Sequence, residues 1–235
     1  MTPSVLVCGD PGRADKIAAR LDGVELLCAH REYHAWRGVF RDLPVTICSH
    51  GIGAPGAAIA FEELIEAGGR RLVRVGTCGS LQPDIDAGHL VVPTAAVQGT
   101  GYGRAATPPG YPAVADLELC LALRQAAGAS DHPFRSGLIL SSDVFYEGIP
   151  GPNTPNYPAL SAANVLAVEM ECEALFLVGS LRGVRTAAIL AVDGQVLEHG
   201  ESMDTYRPHR EIVSAAIEAE IEIALEALQA SVIDV

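Results

Sequence analysis

Positive charge is scarce in this chain of 235 residues: 16 lysines and arginines stand against 29 aspartates and glutamates, a formal net charge of −13. A nucleic-acid binder usually carries the opposite balance. An anionic membrane surface is disfavoured for the same reason. A small anion remains possible, but its site must gather arginines locally. The six cysteines (Cys8, Cys28, Cys48, Cys78, Cys120 and Cys172) form no C-x-x-C pair, so neither a zinc site nor a redox pair is indicated. Most lie in apolar runs, where a free thiol acts as a small hydrophobe, and a reducing, cytoplasmic setting is expected. The seven histidines show no H-E-x-x-H spacing, so no metal is expected. Met1 to Val7 carry no basic segment leading into an apolar one, and no signal peptide is read there. The longest chargeless stretch, Gly148 to Val168, contains Pro150, Pro152, Pro155 and Pro158, which predicts a loop rather than a membrane span. There is no repeat, low-complexity tract or dividing linker, so residues 1–235 are read as one domain.

What is present is a strongly apolar chain, 49% hydrophobic, long enough to bury a core. Ser4 to Cys8 reads as a buried strand entering a turn, with helical spacing from Ala14 to Leu21. Tyr33 to Phe40 and Pro44 to Ser49 read as a hairpin joined at Arg41-Asp42. A helix is expected over Ala57 to Ala67, with strands at Arg71 to Thr77, His89 to Thr94 and Leu138 to Ser141. Asp116 caps a helix reaching about Ala127. Val165 to Met170 reads as extended, with Glu171 opening a helix that ends near Gly183. Arg185 to Val192 is an unbroken apolar run, as in a central strand covered on both faces. Pro208 to Gln229 reads as a long closing helix. Interleaved strands and helices predict an α/β fold, three-layer α/β/α with a central mixed β-sheet.

Three strand ends are expected to run into glycine-rich turns: Gly9-Asp10-Pro11-Gly12-Arg13, Gly51-Ile52-Gly53 and Gly76-Thr77-Cys78-Gly79. Ligands of open α/β sheets bind at such ends, where glycines expose N–H groups to an anion. None has Walker A spacing, and the match of Gly51-Ile52-Gly53 with Gly56 to a dinucleotide fingerprint is weak. Any one of these turns alone more often marks a bare turn. Arg74 is more telling, because it sits between Val73 and Val75 in an apolar strand. A buried arginine needs an anionic partner, either a structural carboxylate or a ligand. Glu169 and Glu171 lie in an apolar stretch and share a face if it is extended; they are read as sugar-hydroxyl acceptors or as plain helix-start acids. Asp193 follows an apolar strand, as an acid–base group or a turn aspartate. His30 and His50 are read as loop residues near the site. Trp36, Phe145 and Tyr146 are, by type, more often core than ligand platform.

Taken in order, these segments resemble the purine nucleoside/uridine phosphorylase family of hexameric type. The matching pieces are Gly9-Asp10-Pro11-Gly12-Arg13, His30-Arg31-Glu32-Tyr33, Ser49-His50-Gly51-Ile52-Gly53, Arg74-Val75-Gly76-Thr77-Cys78-Gly79-Ser80, Ser141-Ser142-Asp143-Val144-Phe145-Tyr146, Val168-Glu169-Met170-Glu171 and Val192-Asp193-Gly194. Each piece is weak alone, and the ordered set is specific. The resemblance implies phosphate held by Gly9, Arg13, Arg74 and Thr77, with Arg31 supplied to a neighbouring subunit's phosphate site. A dimer would then be the smallest active unit, within a hexamer. It implies Glu171 as acceptor of the ribose hydroxyls, with Met170 packed on the sugar and Glu169 beside it. Cys78 and Gly79 would lie along the base and Phe145 over its face. Asp193 would protonate a purine at N7, with help from Arg207. To donate, Asp193 must hold a proton, which partial burial favours. Inorganic phosphate is the implied co-substrate, with no cofactor, no nucleic acid and no membrane partner.

Two departures bear on the substrate. No histidine stands in Met1-Thr2-Pro3, where many members carry one for the ribose 5′-hydroxyl. The segment Glu147 to Asn153 lacks the glutamine and arginine by which uridine-specific members read uracil. With Asp193 present, a purine nucleoside is expected. The alternatives are a uridine phosphorylase, a hydrolytic nucleosidase of the same fold, and a noncatalytic nucleoside-binding module.

Overall fold

The structure, a computed structural model, describes residues 1–146, 148, 149, 151, 154–197 and 210–232. The chain opens with β1 (Ser4–Cys8), α1 (Pro11–Ala18), β2 (Asp22–His30), β3 (Tyr33–Phe40), β4 (Leu43–Ser49) and α2 (Ala54–Glu66). It continues through β5 (Arg71–Ser80), β6 (Leu90–Gly99), α3 (Gly101–Ala106), β7 (Ala113–Val114), α4 (Leu117–Gly128) and β8 (Phe134–Ser142). It closes with α5 (Tyr157–Ala162), β9 (Ala167–Glu169), α6 (Cys172–Arg182), β10 (Arg185–Gln195) and α7 (Glu211–Ala230).

All ten strands join one mixed sheet, with β1 central and parallel to both β4 and β5. Beyond β5 the sheet curls until it meets itself. β5 pairs with β10 and β9, β10 with β6, β6 with β8, and β8 with β9, so five strands close a ring. Side-chain alternation explains why helices cover both faces. In β1, Val5 and Val7 join one apolar cluster while Leu6 and Cys8 join the other. In β10, Ala188, Leu190 and Val192 go one way and Ala187, Ile189 and Ala191 the other. A strand with period-two side chains buried on both sides must be apolar throughout. The first cluster is roofed by α2 and α6, the second by α1, α4 and α7. Among the described residues, no helix is long and apolar enough to cross a membrane.

Several boundaries differ from the sequence reading for identifiable reasons. The hairpin turn is where expected, and Arg41 (φ 43°) and Asp42 (φ 71°) both adopt the left-handed backbone that tight hairpins favour. α1 begins earlier, at Pro11, because the Asp10 side chain caps it by accepting from the amides of Gly12 and Arg13. The third expected turn is instead strand: β5 runs through Thr77, Cys78 and Gly79 to Ser80, held by β10 and β9. The proline-rich stretch contains a short helix, α5, capped by Asn156. β2 was not foreseen, since all nine of its residues are exposed and give no buried alternation.

Candidate active site

The C-terminal ends of the parallel strands β1, β4, β5 and β10 meet at one cavity of about 540 Å³, near β1, where the order of strands reverses and α/β sheets bind ligands. Its wall includes Gly9, Arg13, Arg74, Thr77, Cys78, Gly79, Phe145, Glu169, Met170, Glu171 and Asp193. Eleven of the thirteen residues singled out from sequence are therefore brought together. Arg31 is not among them. It sits exposed at the β2–β3 turn, with a left-handed φ of 55°. Arg207 lies outside the described residues.

At one end the chemistry is cationic and buried. Arg74, 3% exposed, reaches from β5 to Glu171, with Nη2 donating to Oε2 at 2.6 Å and, more distantly, to Glu169 Oε2 at 3.4 Å. Its partner is thus a pair of carboxylates. Burial pulls the guanidinium down, but Glu171, Cys172 and Glu169 outweigh it, so the group stays charged. Its Nε is buried with no acceptor. Gly76 makes room for this side chain, because a Cβ there would stand 2.7 Å from Arg74 Nη1. Arg13, fixed in the first turn of α1 by the Asp10 cap, donates from Nη1 to Glu220 Oε1 at 3.1 Å. Glu220 is fully buried, and burial pushes its carboxyl up to about 8 against the pull of Arg13 and Arg74.

His50 is, as expected, a loop residue near the site, just past β4, and it is fully buried beside Arg74. Burial and the Arg74 charge hold its pKa well below the ordinary range. The neutral ring is then assigned with its proton on Nδ1, donating to Gly51 O at 2.9 Å, while Nε2 accepts from Arg74 Nη1 at 3.3 Å. His30 lies exposed on β2, away from the cavity wall.

The two central carboxylates divide their work. Glu169, at the end of β9, accepts from the backbone amides of Glu171 and Cys172 at 2.8 and 2.9 Å, and from Ser141 Oγ. It therefore caps the start of α6. Glu171 turns out of the strand (φ −139°, ψ −20°) and accepts from Gly53 N at 2.6 Å, tying the glycine turn after β4 to Arg74. The two do share partners as an extended segment would demand, though only Glu169 is in strand. Burial raises the Glu171 pKa, opposed by Arg74.

Asp193 belongs to a strand rather than a turn. β10 continues to Gln195, but its pairing with β5 shifts between Val192 and Gly194, leaving Asp193 as the extra residue of a β-bulge. Bulges re-aim a side chain next to active sites. Asp193 is 8% exposed, and Arg210, at the start of α7, donates from Nη2 to its backbone carbonyl at 2.8 Å. Cys78 is buried against the same wall, and burial followed by Asp193 raises its thiol well above the ordinary range, so it stays neutral. At the mouth, Phe145 and Tyr146 pack edge to face with centroids 5.2 Å apart. They are exposed rather than core. Among the described residues no His, Cys, Asp and Glu cluster has metal-holding geometry.

Sequence reasoning missed Glu220, His50 as an Arg74 partner, and Arg210. For Glu220 a signal existed. It falls on the buried stripe of α7 with Val213, Ala216, Ala224 and Ala227, where an acid is out of place.

Comparison with known proteins agrees with this architecture. The model of the phosphorylase superfamily matches residues 3–229. A uridine phosphorylase of Treponema pallidum is 36% identical over 225 residues, covering 92% of this chain and 87% of that protein. A guanosine phosphorylase of Halorubrum lacusprofundi is 37% identical over 229 residues, covering 96% and 92%. The crystal structure of purine nucleoside phosphorylase from Toxoplasma gondii in complex with immucillin-H superposes with a TM-score of 0.89 at 33% identity, covering 97% of this chain and 90% of that one. Matched along nearly its whole length in sequence and in fold, the chain belongs to the nucleoside phosphorylase family of pentosyltransferases.

Proposed function

We propose that this nucleoside phosphorylase acts on purine nucleosides, releasing the free base and ribose 1-phosphate. The observation that carries the reading is what one cavity wall gathers: two arginines, paired carboxylates, a buried aspartate and aromatic rings. Phosphate sits with Gly9, Arg13, Arg74 and Thr77. The buried Arg74 Nε, which has no acceptor in the protein, gains one from a phosphate oxygen. Glu171 accepts from the ribose hydroxyls, Met170 packs on the sugar, and Glu169 holds the turn that presents them. Cys78, Gly79 and Phe145 frame the base.

In this reading a phosphate oxygen attacks C1′ as the C1′–N9 bond breaks. The bonding pair leaves with the base, and Asp193 protonates N7, so the leaving group departs neutral. The sugar passes through a cationic, oxocarbenium-like state, which the phosphate dianion faces. The guanidinium forks hold that dianion in line, converting a bimolecular attack into a positioned one. Arg207 assists Asp193 from the segment before α7.

Two features favour a purine over uracil. Asp193 is aimed at the cavity by a bulge rather than left in a solvated turn. Gln195, the glutamine of the cavity wall, has its amide nitrogen occupied by the carbonyls of Pro83 and Ile85, at 3.4 and 3.5 Å. A second copy of the chain completes the phosphate site through Arg31. Supporting this, β2 exposes Val24, Leu26 and Leu27 on the strand that leads into Arg31, an apolar face suited to a subunit contact. The minimal unit is then a dimer within a hexamer, working in the cytoplasm as one domain. Base release from inosine, guanosine, adenosine and uridine, with and without phosphate, tests the whole reading. Phosphate-dependent release from a purine nucleoside is expected. A preference for uridine, or turnover indifferent to phosphate, overturns it.

A further inference from the structure

We infer that Glu220 is a positioning residue, a buried anchor on the last helix that aims the Arg13 guanidinium at the bound phosphate. The inference rests on the phosphate reading of Arg13 given above. Arg13 has one side-chain hydrogen bond, from Nη1 to Glu220 Oε1 at 3.1 Å, and that acceptor lies 207 residues away in sequence. Its other anchor is through the backbone, where Asp10 caps the helix. A flexible arginine held only by its backbone samples many rotamers, and fixing it on binding costs affinity. Glu220 removes that freedom in advance.

The location argues against an incidental contact. α7 packs on both β5 and β10, the strands that carry Arg74 and Asp193. Every other buried position of its stripe is apolar: Val213, Ala216, Ile221, Ile223, Ala224, Leu225, Ala227 and Leu228. Glu220 is fully buried among them; its Oε2 makes no hydrogen bond of good geometry, and the backbone of Ala191 and Gly76 adds only a lesser pull on the carboxylate than Arg13 does. A well-packed leucine there would avoid an unsatisfied oxygen, so packing alone does not account for the acid. Arg13 meanwhile lines the cavity and keeps 14% of its side chain exposed. The arrangement is a rigid post behind a partly open fork.

Initial-rate kinetics with phosphate and nucleoside varied separately test this in wild type, Glu220→Met, Glu220→Gln, Arg13→Gln and the double variant Arg13→Gln/Glu220→Met. Glu220→Met keeps the volume and deletes the acceptor, and should raise the phosphate KM about tenfold. Its nucleoside KM and its kcat at saturating phosphate should stay within about twofold of wild type, a size at which no interaction worth counting is lost. Glu220→Gln, whose amide oxygen accepts the same bond, should restore most of the phosphate affinity. In the Arg13→Gln background Glu220→Met should add nothing, because the group it aims is gone. If Arg13→Gln raises the phosphate KM and Glu220→Met does not, or if the two effects simply add, the anchor role is wrong while the phosphate site stands. If Arg13→Gln itself leaves the phosphate KM unchanged, the phosphate reading of Arg13 fails first. Should Glu220→Met not fold, Glu220→Asp, which keeps the carboxyl group but draws it back one carbon, must raise the phosphate KM several-fold with Gln near wild type; the reverse order overturns the proposal.

Discussion

The two ends of the cavity are built on different principles. The arginine end is made of residues in or flanking strands and helices, buried or nearly so, and already bonded to one another: Arg74 to Glu171, Glu171 to Gly53, Arg13 to Glu220. The aromatic end is carried by the segment after β8, where Val144, Phe145 and Tyr146 are 52%, 55% and 69% exposed. The framework thus fixes the part of the site that would hold the phosphate co-substrate and the sugar, which do not change from one base to another. The part that would meet the base, which differs between substrates, hangs on a connecting segment. Loops carried on a rigid scaffold are where binding commonly varies, and the relatives of this chain include proteins named for uridine and for guanosine.

The sharpest way to break that contrast is at Arg74. Arg74→Met leaves two buried carboxylates facing each other and removes a fork, so kcat/KM should fall on the order of 10³-fold and the melting temperature should drop as well. A variant with near-normal turnover at modest phosphate would show that the arginine end is structural only. Asp193→Asn comes next, with a loss of about 10²-fold on inosine in a kcat measurement at saturating substrates. A nucleoside already methylated at N7 needs no proton to leave, so it should lose far less; equal losses on both would remove Asp193 from the acid role.

At the exposed end the effects should be gentler and confined to one substrate. Phe145→Ala should raise the nucleoside KM about tenfold, as loss of a stacked aromatic does, with the phosphate KM unchanged. If both constants moved together, the two ends would not be separable. The smallest effect concerns stability and pH. The Glu220 carboxyl shifts from an ordinary 4.5 to about 8 in the folded protein. Between those values the folded chain holds a proton that the unfolded chain has released, so stability falls as pH rises through that window. Glu220→Gln lacks this dependence. Its melting temperature relative to wild type should therefore climb by a few degrees from pH 5 to pH 8, readable by calorimetry.

The same contrast explains what was legible from sequence. Arg74 announced itself because a charge between two valines breaks a strand's apolar run, and its need for an anionic partner follows from electrostatics alone, though not whether that partner is a carboxylate or a ligand. Glu169 and Glu171 were visible for the same reason. β5 and β10 were foreseen but cut short, since the glycines and Asp193 resemble turn chemistry until pairing with neighbouring strands holds them extended. β2 escaped because an exposed strand has no burial pattern to read. Glu220 escaped because an acid on a helix is ordinary unless the helix's buried stripe is known, and its partner Arg13 lies at the other end of the chain. Long-range pairing of this kind leaves no local trace.

The irregularity in β10 makes the aim of Asp193 a matter of counting rather than of chemical identity. One residue fewer between Val192 and Gly194 would let the ladder with Cys78 and Gly79 run without interruption. The strand would then be regular, but the residue lost is Asp193 itself, so the bulge and the carboxylate it presents come and go together. On the proposed reading, that one-residue shortening would remove the group that meets the leaving base while leaving the Arg74 and Arg13 contacts in place.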